Sequence, residues 1–210
     1  MASTMIHLAI ANELNKKLNR NKNVFLLGAI SPDIAKLVGE SKIKSHFLED
    51  VYNQVPRIDI FLDKYINDLD DDFVLGYYVH LYTDYLWFKY FMTEISTFNF
   101  IKTLDGNIIR CNALEFCKYI YNDYTNLNIQ IIDLYNLDLK IFYNDIPNIK
   151  PIIEEIPMNK LDVLRDQMGL IIEKTGTKKD YVFDISHIEQ FIKTSIELIE
   201  SNLKDLNIME

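Results

Sequence analysis

Glycine and proline are scarce in this chain of 210 residues, at six and five copies. That removes most of the material for tight hairpins and loose linkers and favours long helices. Cysteine is scarcer still: Cys111 and Cys117 are alone, on different faces of any helix and without a CxxC spacing. Neither a disulfide framework nor a thiolate metal site can be built from them, so free thiols in a reducing cytoplasm are expected. No window approaches 18 uninterrupted apolar residues, which excludes a spanning helix. The opening "MASTMIHLAIANELNKKL" has no basic leader and spaces its apolar residues helically, so it does not read as a signal peptide, and a cytoplasmic location is expected.

Positive charge is also in short supply. The net charge is −9, and no run of five or six like charges occurs. Long nucleic acid and anionic lipid surfaces both need clustered Lys and Arg, so neither is an expected partner. The densest acidic run, "DLDDD" at 68–72, sits before a helix start, where carboxylates complement the helix dipole.

What is present is a hydrophobic fraction of 49% with 25% charged residues, the balance of a soluble globular domain with a substantial core. Residues 1–210 read as one all-α domain. Ile6, Ile10, Leu14 and Leu18 predict a helix over 4–19, capped by Ser3 or Thr4. "NVFLLGAISPD" (23–33) reads as a short helix broken by Gly28 and stopped at Pro32, because proline disfavours helical geometry in the residue before it. "GESKIKSHF" (39–47) reads as a loop. Helices are expected over 57–68, 71–95, 110–136 and 159–174, and from Asp184 or Ser186 to about Leu206. "KTLDGNII" (102–109) is ambiguous, since Asp105-Gly106 could turn a small hairpin.

Chemistry concentrates in "GYYVHLYTDYLWFKYF" (76–91), an aromatic helix that carries His80 and Asp84 four residues apart. That spacing stacks both side chains on one face, so they can form a self-satisfied buried pair or half of a metal site. Asp33 follows the Gly/Pro break and His46 follows the polar loop. Together the four make two His and two Asp, a set that suits zinc. His187 could return from the last helix as a ligand or stand on the surface in that helix's first turn, and Glu13 could back a metal-bound imidazole or face solvent, the surface reading being preferred for both. Lys42 and Lys44 flank His46, where they could meet a phosphate or simply face solvent.

In this order and at these intervals, "HLAIANEL", "FLLGAISPD", "KSHF" and "FVLGYYVHLYTDYLW" resemble the zinc-dependent phospholipase C family, which belongs with the S1/P1-type nucleases. The resemblance covers the first 95 residues, with 96–210 completing the bundle as helices. It implies a multi-helix bundle of the phospholipase C/P1 nuclease type, with His7, Asp33, His46, His80 and Asp84 as metal ligands. Asp33, His46, His80 and Asp84 would surround one zinc, and Asp84 would bridge to a second held by His7. The His and Glu that complete a third site in that family have no counterpart here, where Tyr90 and Glu94 follow the pair. One or two zinc ions are therefore expected.

The implied activity is hydrolysis of a phosphodiester, a small phosphoester or phospholipid head group, by attack of a zinc-activated water with Asp33 as general base. Two other readings stay open: a non-catalytic cytoplasmic protein that keeps a structural zinc, and a nuclease- or nucleotidase-like phosphoesterase. A His-Asp phosphohydrolase is set aside because no His-Asp dipeptide occurs.

Overall fold

The computed structural model describes residues 1–97, 99–167 and 179–209. Helices dominate it, and one small sheet departs from the all-α expectation. Helix α1 (Thr4–Leu18) starts at Ser3, whose Oγ accepts from the Ile6 N–H, and ends at Asn19 in the left-handed conformation. Helix α2 (Lys22–Gly28) is capped by Asn21. A 3₁₀ turn over Ser31–Asp33 then leads into the single turn α3 (Ile34–Leu37). Pro32 stands in the first turn of that 3₁₀ segment, where its missing N–H costs nothing.

The loop expected over 39–47 instead holds a one-turn helix, α4 (Lys42–Ser45), because the Ser41 hydroxyl accepts from the Ile43 N–H and starts it. Helix α5 (Ile58–Tyr65) runs into a 3₁₀ turn. Helix α6 (Asp72–Leu86) is capped by Asp71 and buried along most of its length. It packs against α1, α2, α5 and the last helix, so it forms the central post.

Gly28 acts differently from the helix breaker expected. It ends α2 at a crossing where Gly76 of α6 faces it. A Cβ on Gly76 would lie 2.1 Å from the Phe25 carbonyl oxygen, and one on Gly28 would lie 2.2 Å from that of Phe73. Only two hydrogens fit there. The close crossing sets the depth at which α6 presents its polar residues to the turn after α2.

The aromatic helix expected over 71–95 is interrupted. Trp87–Phe91 form a π turn before α7 (Met92–Ile95). The widened turn delivers the buried Trp87 ring to Phe191 at 4.9 Å and Phe183 at 5.7 Å between centroids. Burying a ring of this size stabilises the fold by roughly 2–3 kcal/mol.

The hairpin signal at 102–109 is realised. Strands β1 (Ser96–Thr97), β2 (Phe100–Lys102) and β3 (Ile108–Arg110) form an antiparallel meander, with Ile101 opposite Ile109 and Gly106 turning at φ 83. Helix α8 (Ala113–Tyr135) begins in a capping box of Asn112 and Glu115. The helix expected over 159–174 is replaced, in its described part, by 3₁₀ turns over Met158–Gln167. Leu161 and Leu164, both buried and three apart, match the three-residue period of that helix. Residues 168–174 lie outside the described residues. Helix α9 (Ile185–Asp205) closes the bundle, capped by Asp184. Among the described residues, no helix is long and apolar enough to cross a membrane.

Candidate metal centre

Five polar side chains from four segments converge beneath the α2–α6 crossing. His80 and Asp84 come from α6, His7 from α1, Asp33 from the 3₁₀ turn and His46 from the end of α4. His7, His46, His80 and Asp84 are each at most 1% exposed. Asp33 alone keeps partial access, with its side chain 16% exposed. These are the five residues singled out in the sequence, and the fold brings all of them together.

Their contacts are not those of a self-satisfied pair. His80 Nε2 lies 3.9 Å from Asp84 Oδ2, too far for a hydrogen bond. His46 Nε2 is 3.5 Å from Asp33 Oδ1 and 3.8 Å from Asp84 Oδ2, and His7 Nε2 is 3.4 Å from Asp84 Oδ1. Both ring nitrogens of His7, Oδ1 of Asp33 and Oδ2 of Asp84 are buried without a hydrogen-bond partner. Each such group carries a desolvation cost of about 1–3 kcal/mol, more if charged. Four such atoms lie together here, as they would around a shared cation.

The far side of the His80 ring fixes where its lone pair points. His80 Nδ1 sits 2.8 Å from the Ala29 carbonyl oxygen, which can only accept, so the proton is on Nδ1 and Nε2 is bare. Ser45 Oγ stands 2.9 Å from His46 Nδ1 and 3.4 Å from the Lys42 carbonyl oxygen, so its one proton can go to either. His46 Nε2 faces the bare His80 nitrogen at 3.3 Å. In the tautomer with the His46 proton on Nδ1, two lone pairs meet there and repel unless a cation lies between them and the carboxylates.

Electrostatics place the groups in the ligating protonation state. Burial first, then the neighbouring His7, pull His80 down from 6.5 to about 3, against the raising influence of Asp33 and Asp84. Its imidazole is neutral at pH 7, as a metal ligand must be. Burial alone would raise Asp33 and Asp84. For Asp33, the imidazoles of His46, His80 and His7 outweigh it whenever they carry a proton. For Asp84, the amino terminus, His7 and His80 do so. Both carboxyls stay below the usual range and ionised.

The donors form two overlapping groups whose ligand atoms lie within 4.8 Å of one another: His7, His80 and Asp84, and Asp33, His46 and His80. His80 belongs to both, yet one imidazole lone pair serves one ion. Asp84 has two oxygens, and they face different imidazoles, Oδ1 toward His7 and Oδ2 toward His46 and His80. If two ions are held, the carboxylate is the group able to join them.

The remaining sequence candidates stay apart from this cluster. His187 is exposed at the start of α9, its Nδ1 2.8 Å from Asp184 Oδ1, as a helix-capping partner. Tyr90 is 52% exposed on the π turn, with its ring against Tyr85. Glu13 binds Lys16 Nζ on the outside of α1, because the helical period turns it away from His7. Lys44 is tied to the Glu154 carbonyl and Lys42 to Gln54.

A cavity of about 340 Å³ adjoins Asp33, between the start of α1, α3 and the middle of α8. Lys36, Tyr121 and Asn128 are among its polar groups, beside Asp33, Ser3, Thr4 and Thr125, and sequence reading gave none of those first three a role in the site. Asn128 carried a signal: it stands among Tyr124, Leu127 and Ile131 on the buried stripe of α8.

No family model, curated protein or solved structure matches the chain. Fold and site therefore define a class on their own: a mainly helical protein with a buried His/Asp cluster able to hold a metal ion.

Proposed function

We propose that this chain is a zinc-dependent phosphoesterase acting on a small phosphodiester, with His7, Asp33, His46, His80 and Asp84 holding one or two ions. The observation that carries it is the convergence of the His46 and His80 ring nitrogens, 3.3 Å apart, beside buried Asp33 and Asp84 oxygens without hydrogen-bond partners. A mixed imidazole and carboxylate set of this kind suits zinc. When bound, zinc supplies Lewis acidity toward a phosphoryl oxygen and toward water.

The chain's own residues account for the rest. Asp33 is the one donor with solvent access and it borders the cavity, so it stands between the buried cluster and anything bound there. Hydrolysis joins the oxygen of water to phosphorus, breaks one P–O ester bond and passes a proton to the departing alkoxide. The Asp33 carboxylate, through its partly exposed side, would take that proton from water and return it. Lys36, one turn further on, adds positive charge for an anionic ester.

A second reading, a structural ion without turnover, is favoured by one observation: His7, His80 and Asp84 are wholly buried. Hydrolysis of bis(p-nitrophenyl) phosphate by zinc-loaded protein separates the two. The phosphoesterase reading expects turnover that a chelator removes and zinc restores, with kcat lowered by about 10²–10⁴-fold in Asp33→Asn. Bound zinc with no turnover supports the structural reading, and full turnover without metal contradicts both.

A further inference from the structure

Asn128 is only 5% exposed, and its Oδ1 has no hydrogen-bond partner. It borders the cavity that Asp33 also borders. Nothing in the packing of α8 requires an amide at this position, since its stripe neighbours Tyr124, Leu127 and Ile131 are satisfied by apolar contact or by their own bonds. Oδ1 itself is closed to solvent, so a rotation of the amide at the cavity edge is what would bring it to a polar atom from outside the chain.

The other polar groups of the cavity define what that atom belongs to. Lys36 Nζ stands 3.0 Å from the Tyr121 hydroxyl and 5.0 Å from the centre of its ring. Lys36 thus stands opposite the Asp33 carboxylate in this lining, and the tyrosine face that could have received a quaternary ammonium already carries an ammonium from the protein. Most of the remaining wall is apolar, including Phe142 and Leu164. A cationic alcohol such as choline would meet a like charge, whereas an uncharged alcohol would not. A hydroxyl on that alcohol donates and accepts, so it satisfies the Asn128 amide whichever way the amide is turned.

We infer that this cavity is the substrate pocket, that it selects a phosphoester of a small uncharged alcohol with a free hydroxyl, and that Asn128 is the residue that reads the hydroxyl while Lys36 excludes cationic alcohols. The inference rests on the phosphoesterase reading and adds its substrate class.

Three p-nitrophenyl phosphodiesters, differing only in the second alcohol, test it: glyceryl, methyl and choline. The zinc-loaded protein is expected to favour glyceryl over methyl by about tenfold in kcat/KM, the worth of one buried hydrogen bond, and to favour choline least. In Asn128→Ala the glyceryl-over-methyl preference falls about tenfold. Because it is a ratio within one sample, any loss of folded protein cancels. Lys36→Gln, an exposed change, narrows the gap between glyceryl and choline. An unchanged glyceryl-over-methyl ratio in Asn128→Ala, or a choline ester preferred by the parent protein, overturns the inference.

Calorimetric binding of glycerol phosphate and of inorganic phosphate supplies the arm that does not depend on turnover. Tighter binding of glycerol phosphate, lost in Asn128→Ala, upholds the pocket even if no ester is hydrolysed, in which case the phosphoesterase reading alone fails. Equal binding of the two overturns the pocket.

Discussion

His7 and His80 lie face to face, ring centroids 3.8 Å apart and planes within 6° of parallel. Two imidazoles stacked this closely, both buried, cannot both be charged without strong repulsion. Each presents nitrogen toward the same Asp84 carboxylate, one from α1 and one from α6. The stack therefore joins the two helices at a point that disfavours protonation of His80, and this has consequences in acid.

Acid lability follows from the sign of the shifts. In the unfolded chain His80 takes up a proton as pH falls below 6.5, but in the folded protein it does so only near 3. Between those values the unfolded state binds the extra proton, so stability falls as pH falls, by at most about 1.4 kcal/mol per pH unit for this group. Asp33 and Asp84, held below their ordinary 3.8, add stability that is present above that value and lost as pH drops beneath it. Urea denaturation of metal-free protein at a series of pH values should show the midpoint declining steadily from about pH 6.5 downward. A midpoint indifferent to pH across that range would contradict the buried neutral imidazole.

The glycine crossing gives a second prediction. Gly76→Ala would place a methyl 2.1 Å from the Phe25 carbonyl oxygen, backbone that cannot swing aside. Helices α2 and α6 must separate, at about 3 kcal/mol or more. The Ala29 carbonyl at the end of α2 then leaves His80 Nδ1, so weaker metal binding should accompany the lower melting temperature.

Ser45 offers a test of the ring orientation alone. Its hydroxyl holds His46 Nδ1 at 2.9 Å, and the Tyr77 hydroxyl donates to the Ser45 carbonyl at 2.5 Å. Just beyond, Phe47 takes φ 53 and turns the chain away, its ring packed on Phe61 and Tyr65. Ser45→Ala leaves that backbone frame intact and frees only the imidazole. Metal affinity should fall about 10–100-fold in a chelator competition assay, with little change in melting temperature.

The donors themselves are legible in the sequence because each depends on local rules. His80 and Asp84 share a face by helical period, and a Gly/Pro break marks the turn that carries Asp33. What orients those donors is not legible. The Ala29 carbonyl is a backbone atom 51 positions before His80, and nothing local pairs them. Gly28 reads as a helix break, and only its meeting with Gly76 shows it to be a contact. The π turn at Trp87 answers to aromatic partners nearly a hundred residues later, on and before α9. His187 stands where its first-turn position suggested, on the surface beside Asp184.

The central claim is that the five converging side chains bind metal. Its most direct test is elemental analysis of protein purified without chelators, beside His80→Ala. The proposed function predicts one to two equivalents of zinc per chain in the parent protein and loss of that metal in the variant. Parent protein that folds, is free of metal and takes up none from added zinc would contradict the account at its root.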